Sequence, residues 1–280
     1  LLELFQRCVG ESASRAVQVS GPAGSGKSRL RFEMLRRIGE PAPTLLFGRA
    51  DSVSAGSPFG LIRAALRRAA SIAQADGLAV QQKKLRALFA RHLSGKALTR
   101  AALFLGELAN VPFPDDASEG LRAARNDPML MGDRMRTAWE DWLLAACDEA
   151  PLVIVLEDLH WGDLPSAKFV EIALRVLRSR PLFVLALARP EIQEEFQGTW
   201  RGRPFDMIEL GPLAPEACEA LARAALGESA QDETVRLVVA KSEGNAFYLE
   251  ELVRAVAAQG GALREGAFPE TVLGMVQARL

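Results

Sequence analysis

Runs of apolar residues along the chain change their period several times, and each change marks a predicted element. Four stretches are short and strand-like: Ala16-Val17-Gln18-Val19-Ser20, Thr44-Leu45-Leu46-Phe47-Gly48, Leu152-Val153-Ile154-Val155-Leu156 and Leu182-Phe183-Val184-Leu185-Ala186-Leu187. A weaker fifth is Asp206-Met207-Ile208-Glu209-Leu210. The third and fourth are apolar throughout, without alternation, as strands of a parallel sheet are when helices cover both faces. Helical spacing fills the rest: 1–9, Lys27 to Ile38, and Leu61, Ile62, Ala65, Leu66 and Ala69 within a long Ala/Leu/Arg-rich stretch from Asp51 to Asp127. Pro112, Pro114 and the acidic pair Asp115-Asp116 interrupt that stretch. Asp127-Pro128 opens a long helix through Met131, Met135, Trp139, Trp142 and Ala146, with Asp127 as N-cap and Pro128 at the first helical position. Its Met and Trp stripe reads as core. A helix from Ser166 to Ser179 separates the third and fourth strands. After Gly211-Pro212-Leu213 the spacing is purely helical: Pro215 to Leu226, Asp232 to Ala240, Ala246 to Ala258, and Pro269 onward.

The pattern predicts a three-layer α/β/α core with a five-stranded parallel sheet at 1–211, carrying a helical insertion at about 51–127. A small all-helical domain at 212–268 and the start of a further helical region at 269–280 follow. Composition fits a soluble globular chain, with 49% hydrophobic and 25% charged residues. A net charge of −1 gives no global electrostatic case for a nucleic acid or membrane surface, and the basic run Arg63, Arg67, Arg68 reads as a solvated helix face. Cys8, Cys147 and Cys218 are far apart in apolar helical patterns and read as reduced core thiols of a cytoplasmic protein. No apolar run approaches the ~18 residues of a membrane span, and no signal peptide is visible. The chain starts without Met and stops inside the helical pattern Val272 to Leu280, which reads as a piece of a longer protein.

The densest chemical signal is Gly21-Pro22-Ala23-Gly24-Ser25-Gly26-Lys27-Ser28, which fits G-x-x-x-x-G-K-[ST] without a mismatch. It lies between the first strand and a helix, the context this P-loop motif requires. Glycines at 21, 24 and 26 are expected to take positive φ, so that successive N–H groups face anionic oxygens. The helix N-terminus adds its partial charge. Lys27 would reach the β/γ-phosphates and Ser28 would ligate Mg²⁺. Residues Gly21 through Arg29 are thus candidate nucleotide ligands.

Hydrolysis further needs carboxylates for the metal and for the attacking water. Glu157-Asp158 ends the third strand, at the edge of a parallel sheet where ligands sit. Position puts Glu157 on the metal side and Asp158 on the water side, but either side chain could do either job. Arg189-Pro190 follows the fourth strand, where a guanidinium would sense a γ-phosphate. Arg178 and Arg180 read as a solvated helix end, with a trans-acting role toward a neighbouring subunit as the alternative. His160, next to Trp161, reads as a packing and hydrogen-bonding residue.

Four segments in this order carry a family resemblance: Gly21–Ser28, Val155-Leu156-Glu157-Asp158-Leu159-His160-Trp161-Gly162-Asp163, Ala188-Arg189-Pro190, and Gly244-Asn245-Ala246-Phe247-Tyr248-Leu249-Glu250-Glu251-Leu252. Together the chain resembles the AAA-type ATPase module of the signal-transduction ATPases with numerous domains (the STAND class). It is most similar to modules of bacterial regulators that join a kinase, cyclase or DNA-binding domain to helical repeats. The resemblance implies an additional-strand sheet order, with the acid-bearing strand next to the neighbour of the phosphate-loop strand, and a helical lid over the adenine. It implies ATP or ADP with Mg²⁺ as ligands. By the family pattern Asn245 and its neighbours help the lid read the nucleotide, with Pro212 near the base. The chain departs from that pattern in having Ala246 where proline is common, and it lacks the usual Gly-Arg-Glu opening. The resemblance implies a slowly hydrolysing ATP switch that acts on flanking domains of the same polypeptide, with homo-oligomerisation open. A non-hydrolysing ADP-bound scaffold and an origin-recognition-like DNA-associated ATPase are the alternatives. Near-neutral charge and the lack of a visible basic winged helix argue against direct nucleic-acid binding by this piece.

Overall fold

The computed structural model describes residues 1–40, 42–53, 55–114, 116, 118–192, 205–227 and 231–258. The chain divides into two compact units: Leu1–Ser20 with Arg31–Ile208, and Gly21–Leu30 with the chain from Glu209 onward.

The first unit carries the strands β1 (Arg15–Ser20), β2 (Thr44–Arg49), β3 (Leu152–Glu157), β4 (Leu182–Ala188) and β5 (Phe205–Glu209, whose last residue belongs to the second unit). They form one five-stranded sheet in the order β2-β3-β4-β1-β5. The pairings β2–β3, β3–β4 and β1–β4 are parallel. β4 therefore separates the strand that leads into the phosphate loop from the strand that ends in the acids, the order the resemblance implies. Register aligns their carboxyl ends: Ser20 lies opposite Ala188, and Arg49 opposite Glu157. Every residue of β3 and β4 is buried, as unbroken apolar runs demand.

Among its described residues this unit has the helices α1 (Leu2–Gly10), most of α2 (Lys27–Arg37), α3 (Gly60–Ala69), α4 (Leu78–Phe89), α5 (Gly95–Leu108), α6 (Glu119–Arg125), α7 (Pro128–Glu149) and α8 (Leu164–Val176). The opening of α7 is as its sequence predicts: the Asp127 carboxylate accepts from Met129 N and Leu130 N at 2.9 and 3.2 Å. Trp139 and Trp142 of α7 are fully buried, and Trp139 Nε1 donates to Phe169 O at 3.1 Å. Phe89 meets Trp142 edge to face at 5.0 Å. Leu66, Leu85, Leu105 and Leu108 join the same cluster as Ile154 and Val184 of the sheet. The helices of the 51–127 stretch thus share one continuous core with the strands.

Two expectations shift. The helix expected from Ser166 starts at Leu164, because the buried Asp163 carboxylate caps it by accepting from Ser166 N at 2.8 Å. The run Arg63, Arg67, Arg68 is not a plain solvated face. Arg63 and Arg67 are half-buried, and all three line a cavity of about 570 Å³ with Phe47 and Trp161. Arg67 donates to Gln81 Oε1 and Ala109 O, and Arg68 lies 4.3 Å from the Phe47 ring centre. Arg178 and Arg180 are exposed, as a solvated end implies, and Arg180 pairs with the exposed Asp148 at 2.5 Å. The cysteines are free and buried, and burial pushes the Cys8 and Cys147 thiols up to about 12.

Among its described residues the second unit holds the phosphate loop and the helices α9 (Pro215–Leu226), α10 (Asp232–Ser242) and α11 (Ala246–Ala258). Cys218, Ala222, Val235, Val238, Leu249, Leu252 and Val256 make its core. Leu213 N donates to Gly244 O at 2.8 Å. A Cβ on Gly244 would lie 2.7 Å from Leu213 O, so this crossing requires glycine. The predicted helical region at 269–280 lies outside the described residues. Among the described residues no helix is long and apolar enough to cross a membrane.

Candidate functional site

Candidate chemistry sits in two places, one in each unit. In the helical unit, the loop leaves β1 through Pro22-Ala23-Gly24-Ser25, where Ser25 N donates back to Pro22 O at 3.3 Å. Gly24 has φ +80, the third-position value of a type II turn, and Gly26 has φ +91. Gly21 is not in the left-handed region, contrary to the expectation for all three glycines. It is needed for space: a Cβ there would lie 2.6 Å from Ser25 Oγ and 3.0 Å from Leu210 O. α2 then starts at Lys27, with Leu30 N bonded to Gly26 O at 2.9 Å. The Lys27 ammonium folds into the loop and donates to Gly21 O at 2.6 Å and Pro22 O at 2.7 Å. Ser28 and Arg29 are exposed.

The loop is also tied to α11. Asn245 Nδ2 donates to Ala23 O at 3.0 Å, and Phe247 N donates to Gly24 O at 3.1 Å. Asn245 Oδ1 accepts from Tyr248 N at 3.0 Å and so caps the helix. Pro212 is exposed and packs at the Gly244 crossing.

In the sheet unit, Glu157 ends β3 with 3% of its surface exposed. Asp158 follows with φ 57, which turns the chain sharply into a short 3-10 turn, Leu159–Trp161. Neither acid stands alone. Arg49 Nε from the end of β2 bonds Asp158 Oδ2 at 2.9 Å and lies 4.0 Å from Glu157 Oε2. Arg31 Nε lies 3.4 Å from Glu157 Oε1 without hydrogen-bond geometry, so both buried atoms lack a hydrogen bond. The Arg189 guanidinium lies 5.1 Å from the Trp161 ring centre, and His160 packs on the same ring at 4.5 Å.

Sequence reasoning missed Arg31 and Arg49. Arg49 carried a usable signal, as the last residue of a strand whose neighbours end in candidate ligands. Arg31 carried none, since nothing in its helix separates it from Arg29, Arg36 or Arg37. Asp163 was read as part of a motif, and the structure gives it a mechanical task. Besides capping α8, it accepts from Phe59 N at 2.8 Å and Leu61 N at 3.3 Å and so anchors the start of α3.

These residues fit a magnesium nucleotide. The loop holds left-handed glycines, an ammonium already drawn to its oxygens, and a Ser25 hydroxyl shielded from solvent with no hydrogen-bond partner among the described residues. The acid strand offers Glu157 Oε1, buried and short of a hydrogen bond.

The profile of the AAA ATPase domain matches residues 1–185, and the chain belongs to that family. Membership implies nucleotide binding, usually with Mg²⁺. An uncharacterized protein of Rhizobium meliloti is 27% identical over 182 residues, covering 64% of this chain and 17% of that protein. Two solved structures are similar at 11% identity. One is the Signal Transduction ATPase with Numerous Domains protein with a tetratricopeptide repeat sensor from Pyrococcus horikoshii, with a TM-score of 0.45 over 95% of this chain and 30% of that one. The other is Drosophila ORC bound to DNA, with a TM-score of 0.38 over 94% of this chain and 56% of that one. The chain therefore spans only a fraction of each of these proteins.

Proposed function

We propose that this chain is an ATP-operated switch module of a larger signalling protein. The loop N–H groups and Lys27 hold the β- and γ-phosphates, and Ser28 ligates Mg²⁺, which takes few protein ligands when phosphates supply the rest. Glu157 and Asp158 share the remaining tasks of holding the metal and orienting water. Arg189 senses the γ-phosphate. The observation that supports this reading is that residues 21–30 fall in one compact unit with the helices that follow Glu209. A ligand gathered by that loop acts directly on the helical unit, and a ligand can shift an equilibrium only through such differential contacts. The output goes to flanking domains of the same polypeptide.

The test is magnesium-dependent phosphate release from ATP by the 280-residue chain. Slow turnover that Lys27→Ala abolishes supports the reading, and equal turnover in that variant refutes it. One observation favours a second reading, an ADP-bound scaffold without hydrolysis: both acids already face arginines. Absence of turnover, with nucleotide affinity unchanged in Asp158→Ala, selects it.

A further inference from the structure

The bonds between the phosphate loop and the first turn of α11 give Asn245 a task other than reading the base. Both ends of its amide are engaged by the chain: Nδ2 by Ala23 O at 3.0 Å, Oδ1 by Tyr248 N at 3.0 Å. Only this orientation of the amide matches a donor to the carbonyl and an acceptor to the N–H. Two residues further on, Phe247 N donates to Gly24 O at 3.1 Å. Two consecutive loop carbonyls are thus held against one helix start.

The consequence lies in the peptide plane. A trans peptide points its C=O and the following N–H in opposite directions. Fixing Ala23 C=O toward Asn245 therefore fixes Gly24 N–H away from it. The Ala23–Gly24 peptide is the central one of the turn closed by Ser25 N and Pro22 O, and types I and II differ chiefly by its rotation through about half a turn. The positive φ of Gly24 marks the type II form. Gly24 also leaves room for the strut itself, because a Cβ there would lie 2.5 Å from Asn245 Oδ1.

We infer that Asn245 is a positioning residue of the phosphate loop: from the lid helix it locks the Ala23–Gly24 peptide so that the Gly24 N–H stays turned toward the bound phosphates. This rests on the nucleotide reading above. Without the strut the peptide is free to rotate, which would replace a donor with a carbonyl oxygen facing an anion. Loop and lid helix then respond to the phosphates together, whatever base is attached.

Calorimetric titration of the whole chain with Mg·ATP and with Mg·tripolyphosphate, which has no base, tests this. Asn245→Ser keeps a capping oxygen for Tyr248 N, but its hydroxyl is one bond shorter and falls short of the Ala23 O that Asn245 Nδ2 reaches at 3.0 Å, and Asn245→Thr repeats the test with a second capping residue. The strut predicts that both ligands weaken by the same factor, about tenfold for one lost hydrogen bond, at a nearly unchanged thermal midpoint. A loss confined to ATP would make Asn245 a base reader and overturn the inference, as would no loss for either ligand. The same titrations separate the two levels of the claim. If Lys27→Ala binds tripolyphosphate as wild type does, the phosphate-loop reading itself fails. If that variant loses tripolyphosphate and the Asn245 variants keep it, only the strut fails.

Discussion

The phosphate loop and the acid end of β3 are held in opposite ways. The loop is shaped by backbone: left-handed glycines, a turn bond, an ammonium on its own carbonyls and two struts from α11. The acid end is shaped by charge, with two carboxylates closed in by Arg31 and Arg49. The backbone of the cradle is shaped before ligand arrives, and only the Lys27 ammonium has to leave Gly21 O and Pro22 O to meet an anion. Asp158, hydrogen-bonded to Arg49, must give up that partner before it holds a metal or a water, whereas Glu157 Oε1 is close to Arg31 without a hydrogen bond. On the function proposed above, the contrast separates binding from turnover: binding draws on the preshaped loop, whereas hydrolysis would ask for a release at β3.

Variants can test that separation, beginning with the strongest. Glu157→Gln and Asp158→Asn should each lower ATP turnover by roughly 100-fold or more while nucleotide affinity stays within a few-fold of wild type. Measuring both constants on the same preparation checks it, and a parallel fall in affinity would show that the acids also build the binding site. Asp163→Ala should destabilise the sheet unit by about 3 kcal/mol, because it strips a buried acceptor from three backbone N–H groups and leaves them unpaired. Urea unfolding followed by tryptophan fluorescence reports this. Asp163→Asn, which keeps one acceptor oxygen, should recover part of the loss. Arg49→Ala has the smallest effect, since its side chain is 65% exposed and such pairs contribute at most about 1 kcal/mol. Releasing Asp158 should lower the magnesium concentration for half-maximal turnover by a few-fold, and an increase would mean that Arg49 assists catalysis rather than restraining it.

What sequence revealed and what it withheld divide along a physical line. Local features were legible. The loop is a contiguous string, Asp127-Pro128 caps the helix that follows it, and the unbroken apolar runs of β3 and β4 are buried at every residue. Features made by distant segments were not. Arg49 and Asp158 meet across 109 positions, and the reach of Asp163 to α3 spans more than a hundred. Gly21 shows a subtler limit: the motif requires glycine there, but sequence does not distinguish a need for positive φ from a need for space against Ser25 and Leu210. The reading of Arg63 and Arg67 as solvated failed for a similar reason. Helical spacing gives their face, and only the packing of α3 beside β2 turns that face toward a cavity.

The central claim is that a nucleoside triphosphate is gathered by residues 21–28 and that Mg²⁺ joins it at Ser28. A crystal structure of the chain with a non-hydrolysable ATP analogue and Mg²⁺ tests it most directly. The account predicts phosphate oxygens against the N–H groups of Gly24 to Lys27, the Lys27 ammonium moved from Gly21 O and Pro22 O onto the phosphates, and the metal about 2.1 Å from Ser28 Oγ. A nucleotide bound elsewhere, or a Lys27 ammonium still on its loop carbonyls beside bound phosphates, would contradict it.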